Sequence, residues 1–321
     1  MDAVHTIGLD VGGTKVLGVV VDPASPATVV VARRVPTPVG GEGIVDVLAE
    51  VIAALETDVG AVAAVGVGVP GLVDRDGVLR VGAHLRAVKD LPLRDLLADR
   101  CGRLVVVDND ANCAAVAELT AGAATGATEA VIVTFGTGIG GGVITGGRLL
   151  HGANGFAGEP GHMIVDPNGP PCPCGRRGCW EQLASGSGLA RLGRDAALGG
   201  RLAGAVELAG GDPELVRGEH VTALARQGDA EALAVLHELA DWMTLGLANL
   251  TNLLDPEVLV IGGGLVEAAD LLLPRVRERF PHVVMSGEAR TAVRIEPAVL
   301  GEEAGAIGAA LLAADLVTVG P

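Results

Sequence analysis

Three of the chain's five cysteines fall within eight positions, as Cys172, Cys174 and Cys179 of "CPCGRRGC". An odd cysteine count in a long chain with no export signal favours metal over disulfide for such clustered thiols. His162 of "GEPGHM", ten residues upstream of Cys172, is the nearest candidate for a fourth donor. Two imidazole or thiolate donors more than a pair close a tetrahedral zinc site, and a closed site leaves no position for water. The zinc would therefore be structural and not the catalyst. A reduced trio of structural thiols is the plain alternative. His151 and His220 lack such neighbours and read as surface or packing residues.

A second chemistry lies in two glycine turns, "DVGGTK" (Asp10 to Lys15) and "FGTGIGGG" (Phe135 to Gly142). Successive backbone N–H groups of a tight turn form a concavity that binds anions, and Thr hydroxyls add donors. Lys15 is one of only two lysines in the chain. Asp10, just before the first turn, suits Mg2+, which takes one or two carboxylates alongside phosphate oxygens. Each turn alone could be an ordinary hairpin connection. G-x-G-x-x-G also occurs at Gly66-Gly68-Gly71 and Gly136-Gly138-Gly141, but no helix follows either at once, so a dinucleotide site is excluded on context.

The third is "RLVVVDNDANCAAVAEL", a buried strand running into Asp108-Asn109-Asp110 and a small-residue helix. Carboxyl ends of strands in open α/β sheets line the ligand crevice. Asp110 is placed there as a general base for a substrate hydroxyl, with Asn109 bonding a neighbouring hydroxyl. Asp110 could equally be the helix N-cap.

These residues must be carried by a large α/β scaffold. At 321 residues the chain exceeds one core, and two lobes are expected. Thr6 to Asp22 and Ala130 to Leu150 share a plan of strand, Gly/Thr turn and strand, one opening each half. Strands at Ala61 to Val69 and Arg103 to Asp108 alternate with helices near Gly43 to Glu56 and Leu93 to Arg100. Beyond Cys179 the chain turns helical, with apolar spacing of three and four over Thr222 to Leu254 ended by Asp255-Pro256. A strand, glycine turn and helix follow from Glu257, and a small-residue helix from Glu303 to Leu316 closes the chain.

Composition excludes some classes. A formal net charge of −16 repels nucleic acid and anionic membranes, and aromatics at 2% leave little for base stacking. With no secretory signal, a cytoplasmic protein is expected.

In that order, "LDVGGTK", "GVPG", "DNDAN", "GTGIGGG", "GEPGHM", "CPCGRRGCWEQLASG" and "VIGGGL" resemble the ROK family of sugar kinases, and within it the ATP-dependent glucokinases. The resemblance implies a two-lobed actin-like (hexokinase/ribonuclease H-like) fold with the active site in the inter-lobe cleft. The small lobe would comprise 1–110 plus 301–321 and the large lobe 111–300, with a zinc segment at 162–179. It implies phosphorylation of glucose to glucose 6-phosphate with Asp110 as base. Gly71, Asn109, Glu159, His162 and Glu181 would bind the sugar. Gly12, Gly13, Thr14, Lys15, Gly136, Thr137 and Gly138 would hold phosphates, and Gly262, Gly263 and Gly264 would lie near the adenosine. His162 would then bind zinc through one nitrogen and face the sugar with the other. Homodimers or homotetramers are common in the family. His84 of "GAHLRAVKD" stands where these kinases usually carry Asn, which could relax or change sugar choice. A kinase for N-acetylmannosamine, fructose or allose is the alternative, followed by a sugar-responsive regulatory protein.

Overall fold

The computed structural model describes residues 5–39, 43–83, 85 and 88–319; His84 lies outside the described residues. In chain order the elements are β1 (Thr6–Val11), β2 (Lys15–Val21), β3 (Val29–Pro36), α1 (Ile44–Val59), β4 (Ala64–Val69), β5 (Gly71–Val73), β6 (Leu79–Gly82), β7 (Lys89–Leu91), α2 (Leu93–Cys101), β8 (Leu104–Asn109) and α3 (Asp110–Ala121). Then come β9 (Ala130–Phe135), β10 (Ile139–Thr145), β11 (Arg148–Leu149), α4 (Trp180–Ala184), α5 (Gly186–Leu198), α6 (Ala203–Leu208), α7 (Gly218–Arg226), α8 (Ala230–Leu254), β12 (Val258–Gly262), α9 (Ala269–Val283), β13 (Arg294–Pro297) and α10 (Ala304–Val319).

The chain divides into two compact units. One comprises Met1–Ile132, Gly142–Gly158 and Ala298–Pro321, the other Val133–Gly141 and Glu159–Pro297. The first division thus falls beyond α3, whereas the sequence suggests a boundary at 110. Packing explains the difference. Gly308 of α10 lies so close to α3 that a Cβ would overlap the Cys113 carbonyl, which ties α3 into the first unit.

In the first unit a sheet runs β3-β2-β1-β4-β8, with β1, β2 and β3 antiparallel and β4 and β8 parallel to β1. Valines and leucines of β1, β4 and β8 pack against α1 and α2 on one face. The other face receives α10, and it does so at backbone contact. A Cβ on Gly8 of β1 would overlap the Ala306 carbonyl, and one on Gly66 of β4 would overlap that of Ala309. Thr6 Oγ1 adds a hydrogen bond of 2.9 Å to the Ala310 carbonyl. A helix rich in Ala and Gly is what such an approach requires, because larger side chains would hold the backbones apart. A small antiparallel sheet, β5-β6-β7, completes this unit.

A second sheet has the order β11-β10-β9-β12-β13. In the second unit α8 is the central helix, with Leu236, Leu239, Met243 and Leu247 fully buried. The apolar stretch from Thr222 is interrupted. Gly228, at φ 84°, ends α7, and the Asp229 carboxylate caps α8 by accepting the Ala232 N–H at 2.8 Å. Trp180 lies flat against α8, so that a Cβ on Gly246 would fall inside its indole ring. Its Nε1 donates to the Trp242 carbonyl at 2.7 Å, and its ring meets Phe135 edge-on with centroids 5.3 Å apart. Among the described residues no helix is long and apolar enough to cross a membrane.

Candidate functional site

In the first unit the glycine turn between β1 and β2 is closed by Gly12 N–H donating to the Lys15 carbonyl at 2.8 Å. Thr37 clamps the turn from outside, its Oγ1 donating to the Gly12 carbonyl at 2.7 Å and its N–H to the Thr14 carbonyl at 3.0 Å. Gly13, Thr14 and Lys15 are exposed. Lys15 Nζ pairs with Glu302 at 2.6 Å, and Arg34 meets the other oxygen of the same carboxylate. These two cations hold the Glu302 carboxyl below its ordinary range. Asp10, the penultimate residue of β1, lies under the start of α10, where a Cβ on Gly305 would be 2.9 Å from its Cγ. Burial pushes its carboxyl up to about 7; the Asp110 carboxylate adds to the rise and Lys15 opposes it. A shielded carboxylate beside a second one is a setting that a cation would stabilise.

At the end of β8 both Asn109 and Asp110 approach the first turn of α3, Asp110 Oδ1 accepting the Ala111 N–H at 2.9 Å. The N-cap of α3 is Asn109, whose Oδ1 accepts the N–H groups of Ala111 at 2.8 Å and Asn112 at 3.2 Å. Asp110 is the first helical residue, where the macrodipole favours an anion. Asn109 Nδ2 donates to the Gly71 carbonyl at 3.1 Å, which joins two of the expected sugar contacts. Gly71 itself has φ 131° and sits so close to β6 that a Cβ would overlap the Val81 carbonyl.

Next to this corner lies a pair that the sequence does not mark. The Asp108 carboxylate is buried, and its Oδ2 is 2.7 Å from His151 Nε2. His151, with 38% of its side chain exposed, is thus a surface residue held by a buried carboxylate. The bond to Asp108 raises its pKa, while burial and the nearby Arg75 oppose the rise.

The second unit carries the other glycine turn. Gly136 N–H donates to the Gly138 carbonyl at 2.9 Å, and the Gly136 carbonyl accepts Gly186 N–H at 2.8 Å. The N-terminus of α5, capped by Ser185, is thereby seated on the turn. Gly136, Thr137, Gly186, Ser187 and Gly264 line one cavity of about 720 Å³ with Arg217, Thr222 and Arg226 of the α7 region. Amide dipoles of a turn and a helix N-terminus facing one cavity suit a phosphate chain. Gly263, at φ 80°, packs on the Phe135 backbone with no room for a Cβ, which brings the β12 turn to β9. The α7 arginines and Ser187 are absent from the sequence reading. Their spacing carries no motif, and only the packing of α5 and α7 exposes them.

Glu181, on α4, reaches back to the same turn. Its Oε2 accepts Ile139 N–H at 3.1 Å, over a Gly138 whose Cβ would overlap it. Glu159 precedes a one-turn helix, Pro160–His162, its carbonyl accepting His162 N–H at 3.2 Å. His162, Cys172, Cys174 and Cys179 offer ligand atoms that all lie within 4.8 Å of one another. Cys174 and Cys179 sulfurs are 3.6 Å apart, and Cys172 Sγ is 3.9 Å from His162 Nδ1. Zinc bonds of about 2.0 to 2.3 Å at tetrahedral angles need donor separations of roughly 3.5 to 3.8 Å. The four residues therefore fit a metal ion.

The ROK family model matches residues 6–316. The chain belongs to the ROK family. It is 39% identical over 310 residues to a glucokinase of Streptomyces coelicolor, covering 96% of this chain and 97% of that one. Its fold matches the crystal structure of a ROK family glucokinase from Streptomyces griseus in complex with glucose and AMPPNP, with a TM-score of 0.86, 38% identity, and coverage of 97% and 99%. A ROK hexokinase from Thermus thermophilus matches with a TM-score of 0.83, 36% identity, and coverage of 98% and 100%. The expected actin-like two-domain sugar kinase fold of the ROK family is therefore the fold of this chain.

Proposed function

We propose that this ROK protein is a glucokinase, transferring the γ-phosphoryl group of ATP to glucose to give glucose 6-phosphate. The observation that carries the reading is the Asn109-Asp110 corner. Asn109 caps α3, and Asp110, the first helical residue, carries its carboxylate beside that cap, where Oδ1 accepts the Ala111 N–H at 2.9 Å. The nearly full-length likeness to a glucokinase bound to glucose and AMPPNP supports both substrates.

A sugar hydroxyl ionises far above neutrality, so Asp110 takes its proton only as the oxygen bonds to phosphorus; positioning and charge neutralisation supply most of the rate. Asn109 and Gly71 hold the acceptor hydroxyls, with Glu159, His162 and Glu181 of the second unit as further sugar ligands. Gly12 to Lys15 and Gly136 to Gly138 bind phosphates through backbone N–H groups, and Lys15 exchanges Glu302 for a phosphate. Gly262 to Gly264 lie along the nucleoside. Asp10 would hold Mg2+ brought by ATP, and the ion would supply neutralisation of phosphate charge there.

The ion at His162, Cys172, Cys174 and Cys179 is proposed to be a structural zinc, since three thiolates and one imidazole are a soft, closed donor set. Bound through Nδ1, His162 would have its ring orientation fixed and its Nε2 left for a sugar hydroxyl.

ADP release measured over a panel of glucose, N-acetylmannosamine, fructose and allose, with Asp110→Asn as control, tests the reading. Turnover is expected with glucose and lost in the variant. No response to glucose refutes the substrate, and wild-type turnover by Asp110→Asn refutes the base.

A further inference from the structure

The Asp108 carboxylate links three segments of the first unit. Oδ1 accepts the Asn109 N–H at 2.7 Å and Asn112 Nδ2 at 2.8 Å; Oδ2 faces His151 Nε2 at 2.7 Å. His151 opens the segment 151–158, which is tied separately to the end of the small sheet. Arg75, just past β5, donates Nε to the Gly152 carbonyl at 3.0 Å, and Gly155 lies against Val73 and Asp74 so closely that a Cβ would sit 2.7 Å from the Val73 carbonyl. Asn109 Nδ2 returns to β5 at the Gly71 carbonyl. The ties form a closed ring: β5 to the 151–158 segment, that segment to Asp108 through His151, and Asp108's neighbour Asn109 back to β5. The other ties are the Arg75 guanidinium on a carbonyl, the Gly155 backbone packing and the Asn109 amide. Only the His151–Asp108 link can change charge.

We propose that His151 is a positioning residue for phosphoryl transfer, acting through Asp108 to fix the corner that carries Asn109 and Asp110, and holding it most firmly when the imidazole is protonated. This rests on the reading of Asp110 as the base for a sugar hydroxyl.

The charged and titratable groups around the pair are few. Asp108 faces His151 from β8, and Arg75 faces it from the turn after β5. On the α3 side Asp108 faces the Cys113 thiol, which burial keeps neutral far into the alkaline range and which also feels Asp10 and Asp110. Because Asp108 raises the ionisation of His151 above its ordinary value, the ion pair is complete below the ordinary histidine pKa and is lost as pH rises through the raised one. Deprotonation leaves a hydrogen bond from a neutral imidazole to the carboxylate and removes the attraction between opposite charges, so the corner loosens without coming apart. A base held in place by such a bond loses rate steeply with small displacements.

The test compares wild type, His151→Ala and His151→Gln for kcat and glucose KM between pH 5.5 and 9, with circular dichroism to confirm folding. At pH 7 a folded His151→Ala should lose kcat by roughly 10- to 100-fold, with a smaller change in KM. His151→Gln, a neutral donor at every pH, should recover much of that loss and should lack the alkaline decline that wild type shows. Wild-type kcat, KM and pH profile in His151→Ala overturn the proposal while the glucokinase reading stands; so does an alkaline decline identical in wild type and His151→Gln. Should wild type phosphorylate no sugar, the reading falls, and the pairing is judged by the NMR titration of the His151 ring. Titration at lower pH in Asp108→Asn than in wild type upholds the link, and an unchanged titration overturns it.

Discussion

Lys15 donates to Glu302 across 2.6 Å, so the one lysine of the proposed phosphate-binding turn is already matched to a carboxylate just before the last helix. Both side chains are about half exposed. A pair of that kind contributes little to stability, about 0 to 1 kcal/mol, and a phosphate can displace it. Glu302→Ala should therefore lower the KM for ATP by about two- to fivefold with kcat little changed, read from ATP titrations at saturating glucose. A severalfold rise in KM would mean that Glu302 supports the turn and does not compete with phosphate.

Asp110 and Asn109 should separate cleanly by mutation. Asp110→Asn is expected to cut kcat by about 10²- to 10⁴-fold while the thermal midpoint barely moves, because the α3 cap stays intact. Asn109→Ala should instead cost about 1 kcal/mol of stability as two N–H groups lose their acceptor, and it should also raise the glucose KM. Denaturant titration alongside kinetics distinguishes the two.

Asp10 imposes a pH dependence on the ligand-free protein. Its folded pKa of about 7 lies above the ordinary 3.8, so the native state binds this proton more tightly than the unfolded chain does. Stability from this group is therefore lost progressively as pH rises from about 4 to about 7 and is flat beyond. Asp10→Asn should show a smaller drop in Tm between pH 5 and pH 8, measured in EDTA, than wild type. An equal drop in both would place the effect in the general repulsion of a chain with net charge −16.

Removal of the proposed zinc should be visible at Trp180, which is fully buried and follows Cys179 directly. Without a cation, burial together with the neighbouring thiols holds the Cys179 thiol up at about 12, so this thiol stays protonated at neutral pH. Cys174→Ala is expected to bind much less than one zinc per chain, to change tryptophan emission and to weaken sugar binding through His162. Metal analysis, fluorescence and glucose KM check the three together. Unaltered sugar affinity in a zinc-free variant would separate the metal from the pocket.

Gly246→Ala places a methyl group within the Trp180 indole and should destabilise the second unit by about 1 to 3 kcal/mol, read by denaturant titration.

Much of this site was legible because its chemistry is local. The turns at Gly12 and Gly136, the Cys172 to Cys179 spacing and the strand into Asp110 each sit within a short window, where residue type and neighbour order determine geometry. The His151–Asp108 pair joins residues 43 apart and depends on which strand lies beside which segment. Arg217 and Arg226 reach the cavity only because α7 packs beside α5. The cap of α3 was ambiguous for a different reason. Asn109 and Asp110 are both good capping residues, and one step in helix register decides which of them precedes the helix and which begins it.

The backbone contact of α10 with Gly8 and Gly66 bears on how the protein is made. The helix that covers one face of the first sheet leaves the ribosome after the whole of the second unit. The first unit cannot complete its core before the second unit has been made, and its strands must wait, partly uncovered, for a segment nearly 300 residues downstream. Assembly of the Gly12 turn beneath that helix is thus a late event in folding.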